Sequence, residues 1–117
     1  MNQLSREKCQ PLGNTAVKLD HTEIVDLLQQ LPSWNLVSTD GVEHLERTFS
    51  FKNFKQALEF TVKVGKLAEE VNHHPAILTE WGSTTVSWWT HSLNGLQRND
   101  FILSAKTDAL YDPRNRS

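Results

Sequence analysis

The chain contains a single cysteine, Cys9. One thiol cannot close an internal disulfide, and it cannot build a zinc site of the cysteine-rich kind, which fits a reducing compartment. An excess of one charge is missing as well: 12 Lys and Arg stand against 14 Asp and Glu, for a net charge of -2. Phosphate backbones are held by a basic excess that releases counterions, so nucleic acid is not expected as a partner. No apolar run approaches the length that spans a bilayer, and the first twenty residues hold no continuous apolar stretch of the secretory type. The expectation is a soluble, cytoplasmic protein with no membrane partner. Its 117 residues are enough for one hydrophobic core and too few for two, and 38% hydrophobic content is ordinary for a globular domain.

Residues 1–19 carry Pro11, Gly13 and Asn14 without periodicity and are expected to form an N-terminal tail, residues 20–112 a single domain, and residues 113–117 a C-terminal tail. Asp20-His21-Thr22-Glu23 has the form of a capping box, and Ile24, Leu27, Leu28 and Leu31 follow at helical spacing as far as Pro32. Residues 34–38 and 42–51 flank Thr39-Asp40-Gly41, which predicts a β-hairpin. Asn53 can cap a second helix of about five turns, whose stripe runs Phe54, Ala57, Leu58, Thr61, Val64, Leu67, Ala68 and Val71. Gly65 within it is expected to allow close approach of a neighbour. Residues 77–81 and 84–91 flank Gly82-Ser83 as a second hairpin, with Val86, Trp88 and Thr90 on one face and Thr85, Ser87, Trp89 and His91 on the other. After a turn at Asn94-Gly95, Asn99 or Asp100 can cap a last helix with Phe101, Ile102, Ala105 and Ala109 on its apolar side. The order α-β-β-α-β-β-α predicts an α+β fold: a four-stranded, mainly antiparallel sheet with three helices on one face.

The chemistry concentrates in Glu69-Glu70-Val71-Asn72-His73-His74-Pro75, where the helical pattern meets two histidines and a proline that can stop it. Glu69 and His73 are four apart and share a helix face, whereas His74 precedes proline and is pushed toward extended angles. The two imidazoles therefore point apart. His91, at the expected end of the last strand, supplies a third. Imidazole, with an ordinary pKa of about 6.5, can give or take a proton near neutrality. Three histidines and a carboxylate could also hold a catalytic zinc. Diverging neighbours and the lack of a His-Glu-x-x-His arrangement argue against it, so no metal is expected. Trp34 presents a flat indole that can wall a flat heterocycle. Trp81, Trp88 and Trp89 read as packing or subunit-contact residues, His21 and His44 as structural, and Asp100 first as a helix cap.

From about Leu28 through Asp108 the chain resembles the pterin-4a-carbinolamine dehydratases. The likeness rests on Glu69 to Pro75, then Trp81, Val86 and Thr90-His91-Ser92-Leu93-Asn94-Gly95-Leu96-Gln97-Arg98-Asn99-Asp100, with Trp34 and Phe51-Lys52-Asn53-Phe54 falling where that family has like residues. The resemblance implies an enzyme that dehydrates 4a-hydroxytetrahydropterin to quinonoid dihydropterin and so recycles the pterin of an aromatic amino acid hydroxylase. The Trp88-Trp89 pair and the leader with Cys9 resemble the bacterial branch, whose partner is phenylalanine hydroxylase. It further implies no metal or other cofactor, and a homodimer or homotetramer built through sheet and helix contacts. His73 and His91 would be the acid–base pair, His74 would orient the pterin or hold its hydroxyl, and Glu69 would fix the tautomer of His73. Asp100 would support the site, and Asn72, Pro75 and Trp34 would border the substrate. Two positions depart from the pattern: Gln97 stands where many relatives cap the last helix with Ser or Thr, and Asn72 where some carry aspartate. A non-catalytic scaffold that stabilises a partner's oligomer is the alternative, and the three histidines favour the enzyme over it.

Overall fold

Short polar side chains start the first two helices at the positions the sequence marks. In the computed structural model, which describes residues 3–10 and 17–111, the Asp20 carboxylate accepts from the Glu23 amide at 2.8 Å and the Glu23 carboxylate accepts from the Asp20 amide at 3.1 Å. This closed capping box opens helix α1 (His21–Leu28), which buries Ile24 and Leu27. Helix α2 (Phe54–Val71) begins where the Asn53 side chain accepts from the Gln56 amide. Helix α3 (Arg98–Leu110) starts earlier than expected: Gln97, not Asn99 or Asp100, holds the N-cap position. Asp100 sits three residues further on, and its carboxylate turns back to accept from the Gln97 amide at 2.9 Å.

Among the described residues, β1 (Asn35–Thr39), β2 (Val42–Ser50), β3 (Ala76–Glu80) and β4 (Ser83–Trp88) form one antiparallel sheet in the order β1-β2-β4-β3. With the three helices this is the expected α+β architecture. Asp40 and Gly41 join β1 to β2 with φ of 52° and 79°, the pair of positive values that a type I′ hairpin turn requires. The register places Leu45 opposite Trp88, Arg47 opposite Val86 and Phe49 opposite Thr84 on the side that meets the helices. Thr84 Oγ1 donates to the Ala57 carbonyl of α2 at 2.9 Å, and the Trp88 indole donates to Thr107 of α3 at 3.0 Å. Both helices therefore lie on the same face. No helix among the described residues is long and apolar enough to cross a membrane.

The sequence misplaces three features. Helix α2 buries Ala57, Phe60, Val64 and Ala68, while Phe54 and Leu58 of the expected stripe stay exposed. Phe60, which the expected stripe leaves out, is buried instead, so that stripe lies rotated toward Phe54 and Leu58 relative to the strip that meets the sheet. A Cβ at Gly65 would meet open space, so that glycine is not a close-approach site. Helix α3 is buried on nearly all sides, because part of the expected N-terminal tail covers its outer face.

Residues 3–10 are held there by contacts that span the chain. Leu4 is wholly buried in the core, Lys106 donates to the Ser5 carbonyl at 3.0 Å, and Arg98 grips the Glu7 carboxylate through Nε and a terminal nitrogen. Gln10 and Asn99 exchange two bonds, amide to Oδ1 at 3.0 Å and Nδ2 to carbonyl at 2.8 Å. Residues 11–16 and the expected C-terminal tail at 113–117 lie outside the described residues. Truncating a buried leucine loses its transfer energy and leaves a cavity, so Leu4→Ala should lower stability to urea unfolding by about 2–5 kcal/mol. A loss under about 0.5 kcal/mol, the ordinary range for surface changes, would show the segment to be a tail after all.

Candidate active site

The site begins where α2 stops. Asn72 takes φ 52° and ψ 45°, a left-handed conformation that asparagine tolerates better than most residues. Its amide and that of His73 both reach the Ala68 carbonyl, which closes the helix. Asn72 is thus the stop, and Pro75 instead stands just before β3. Because the chain leaves helical register at Asn72, the four-residue spacing that pointed Glu69 at His73 no longer applies. The exposed Glu69 carboxylate meets His74 Nε2 at 2.5 Å instead. His73 turns inward.

There it meets Asp100, whose side chain has 0% exposure. Asp100 Oδ1 lies 2.8 Å from His73 Nε2, while Oδ2 accepts from Thr90 Oγ1 at 2.7 Å and from the Gln97 amide at 2.9 Å. A carboxylate tolerates burial when its oxygens are met by donors. Facing that acceptor, His73 carries a proton on Nε2. Asp100 is therefore not the N-cap it was read as but the N3 residue that holds the Gln97 amide, and it also anchors a histidine, the role the resemblance implied for Glu69.

His91 arrives by a different route from the one expected. Strand β4 ends at Trp88, an isolated bridge pairs Thr90 with Gly95, and His91 opens a short 3-10 turn (His91–Leu93) closed by Asn94 at φ 50°. Its Nε2–H donates to the His74 carbonyl at 3.0 Å. All three imidazoles thus commit Nε2 to a protein acceptor, and among the described residues no hydrogen bond occupies their Nδ1 atoms.

A cavity of about 290 Å³ is lined by Asn72, His73, His74, Thr90, His91 and Ser92. A second, of about 530 Å³, shares Asn72 and His73 and is completed by Cys9, Gln10, Glu70, Val71 and Asn99. Thr90, Ser92, Asn99, Cys9 and Gln10 are the residues that sequence reasoning missed. Thr90 and Ser92, on either side of His91, and Asn99 lie in the stretch that carries the resemblance, whereas Cys9 and Gln10 carried no signal. Pro75 lines neither cavity. Trp34 is not brought to the site: it is buried, and its indole donates at 2.8 Å to Asp108, which also holds Arg47 at 2.6 Å. Asp108 lies two turns along α3 from Asp100. Among the described residues no group of three His, Cys, Asp or Glu side chains converges as a metal site would require. Burial pushes the Cys9 thiol up from its ordinary value, more than the nearby Lys106 offsets.

Comparison with known proteins adds to this geometry. The family model described as pterin 4 alpha carbinolamine dehydratase matches residues 17–110. A candidate pterin-4-alpha-carbinolamine dehydratase of Microcystis aeruginosa is 45% identical over 115 residues, covering 98% of this chain and 99% of its own. The crystal structure of a transcriptional coactivator/pterin dehydratase from Brucella melitensis is similar with a TM-score of 0.73 and 30% identity, over 81% of this chain and 99% of that one. A pterin dehydratase-like protein identified as a RuBisCO assembly factor in the alpha-carboxysome shares the fold, with a TM-score of 0.57 and 23% identity over 67% of this chain and 88% of that one.

Two measurements check the electrostatics. In Asp100→Asn the amide nitrogen must face either His73 or the Thr90–Gln97 pair, so one donor loses its acceptor. With the nitrogen toward Thr90 and Gln97 the loss should be about 1–3 kcal/mol with the His73 tautomer unchanged in ¹⁵N spectra; with it toward His73 the ring nitrogens should exchange roles and the loss should be smaller. His44 offers a pH test. Burial pushes its imidazole below the ordinary value, which Glu46 and Asp100 oppose and His91 reinforces. The unfolded chain takes up this proton near its ordinary 6.5 and the folded chain only at lower pH, so stability drops as pH falls through that window. The thermal midpoint lost between about pH 7.5 and about pH 5.5 should be smaller in His44→Phe than in the wild type.

Proposed function

Since the chain belongs to the pterin 4 alpha carbinolamine dehydratase family, we propose that it removes water from 4a-hydroxytetrahydropterin by histidine acid–base catalysis. The observation that carries the reading is the small cavity ringed by three imidazoles, each anchored through Nε2 with Nδ1 left for a ligand.

In this reaction the C4a–O bond breaks as the N5 lone pair forms a C4a=N5 double bond. One proton must reach the departing hydroxyl, and one must leave N5. His73 is the acid: its Nε2–H stays on the buried Asp100 carboxylate, and a second proton, taken up on Nδ1, is the one passed to the departing hydroxyl. His91 is the base, its neutral Nδ1 accepting the N5 proton while Nε2–H stays on the His74 carbonyl. His74, tied to the exposed Glu69, orients the pterin from the cavity rim, and Asn72 presents its amide to the ring's polar edge. The two histidines end with their protons exchanged, and solvent restores them. The product is quinonoid dihydropterin, so the enzyme would work in the cytoplasm beside a hydroxylase that uses tetrahydropterin, phenylalanine hydroxylase by resemblance, as a homodimer or homotetramer.

A second role as a binding protein that stabilises a partner's oligomer draws on Phe54, Leu58 and Val62, which stand exposed at four-residue spacing on α2. Such a role needs no histidine and can coexist with catalysis.

The deciding measurement is the rate of water loss from freshly generated 4a-hydroxytetrahydropterin, followed by ultraviolet absorbance. The wild type should accelerate it, and His73→Ala and His91→Ala should each lose 10²–10⁴-fold, about the contribution of an acid or base. A wild-type rate no better than buffer would sink the enzyme and leave the binding role.

A further inference from the structure

Each of the three imidazoles has one ring hydrogen bond, and that of His91 is the one with no carboxylate in it. His91 is exposed, sits on a single 3-10 turn, and its ring has one bond, to a backbone carbonyl. One hydrogen bond holds an edge of a ring and leaves the plane free to swing. The plane is held by something else. The Trp89 indole stacks on His91 with centroids 4.3 Å apart and planes at 21°, and on its other face it stacks on His44 at 4.0 Å and 8°.

The backbone explains the sandwich. The β2–β4 ladder ends at the pair Leu45 and Trp88, both buried toward the helices. One step beyond, His44 and Trp89 face the opposite side of the sheet, on its helix-free surface. His44 belongs to β2 and is paired to Val37 of β1, so it is a fixed backing rather than a loop residue. Nearby on that surface, Ser87 Oγ donates to the Glu46 carboxylate at 2.8 Å.

We infer that Trp89, backed by His44, is the positioning residue that mounts His91 for proton transfer. This rests on the reading of His91 as the base. An indole face does two things for a base. It fixes the ring plane, so that Nδ1 meets the substrate nitrogen in line, and it attracts the imidazolium formed when the proton arrives. His44 must stay neutral for this, since a second cation on the same indole would compete. The charged and titratable groups around it are Glu46, His91 and Asp100, and burial outweighs the attraction of the two carboxylates.

The test uses the full chain with Trp89→Leu, Trp89→Phe and His44→Leu. Trp89→Leu should lose about tenfold in kcat with KM little changed, short of the 10²–10⁴-fold expected when the imidazole itself is removed. Trp89→Phe, which restores an aromatic face, should recover most of that, and His44→Leu should fall between. Ring currents supply a second readout that needs no turnover: the His91 ring protons should resonate upfield in the wild type, move to ordinary positions in Trp89→Leu, and stay upfield in Trp89→Phe. Turnover of Trp89→Leu within about twofold of wild type, an equal loss in Trp89→Phe, or ordinary His91 shifts in the wild type would each overturn the mount. A wild-type chain without dehydratase activity would instead defeat the proposed function, and the ring-current comparison would still decide whether the stack holds His91.

Discussion

A carboxylate with no exposure to water must be surrounded by donors, and Asp100 imposes that requirement on residues 3, 10 and 27 positions before it. The Gln97 amide at the start of α3, the Thr90 hydroxyl beside the bridge to Gly95, and the His73 ring just past α2 all have to arrive at once. The N-terminal end of α3 adds the favourable end of a helix dipole. Few other arrangements would leave the charge compensated, so the same contact that caps a helix also fixes where the cavity forms and which edge of His73 faces it.

The three histidines divide by burial. His73 is mostly enclosed, beside the Trp88 ring and hydrogen-bonded to the buried Asp100 carboxylate. His74 and His91 stand in solvent, and their arrangement depends on geometry more than on charge. His74 serves twice, since its side chain meets Glu69 while its backbone carbonyl receives His91. A pair of adjacent residues thus links all three rings: one points in, the other out, and the backbone of the second seats the third.

Local signals were legible in the sequence and long-range ones were not. The Asp20 box, the Asn53 cap, the Asp40-Gly41 turn and the strand alternation of Val86 and Trp88 are set by neighbours a few residues away, and each appears where the pattern put it. The exchange of partners between Glu69 and Asp100 turned on one left-handed residue, Asn72, which spacing rules assume to be absent. Helix α3 misled in another way: Asn99, Asp100, Ser104 and Thr107 look like a solvent face, yet every one is buried with a hydrogen-bond partner. Trp34 was assigned on its chemistry alone, and position overrode it. The part played by Cys9 and Gln10 had no local trace, because the segment is held by α3, at the far end of the chain.

The span of that attachment has a consequence during synthesis. The Gln10 carbonyl receives a residue 89 positions later in the chain, and Glu7 one 91 positions later. At about 5–20 residues per second, roughly 4–18 s pass between the emergence of Leu4 and Gln10 from the ribosome and that of the helix they need. Through that interval the sheet and α2 can already associate, but the leading segment has nowhere to bind. The wall of the larger cavity is therefore made well before the helix that holds it, and is among the last parts of the domain to find its place.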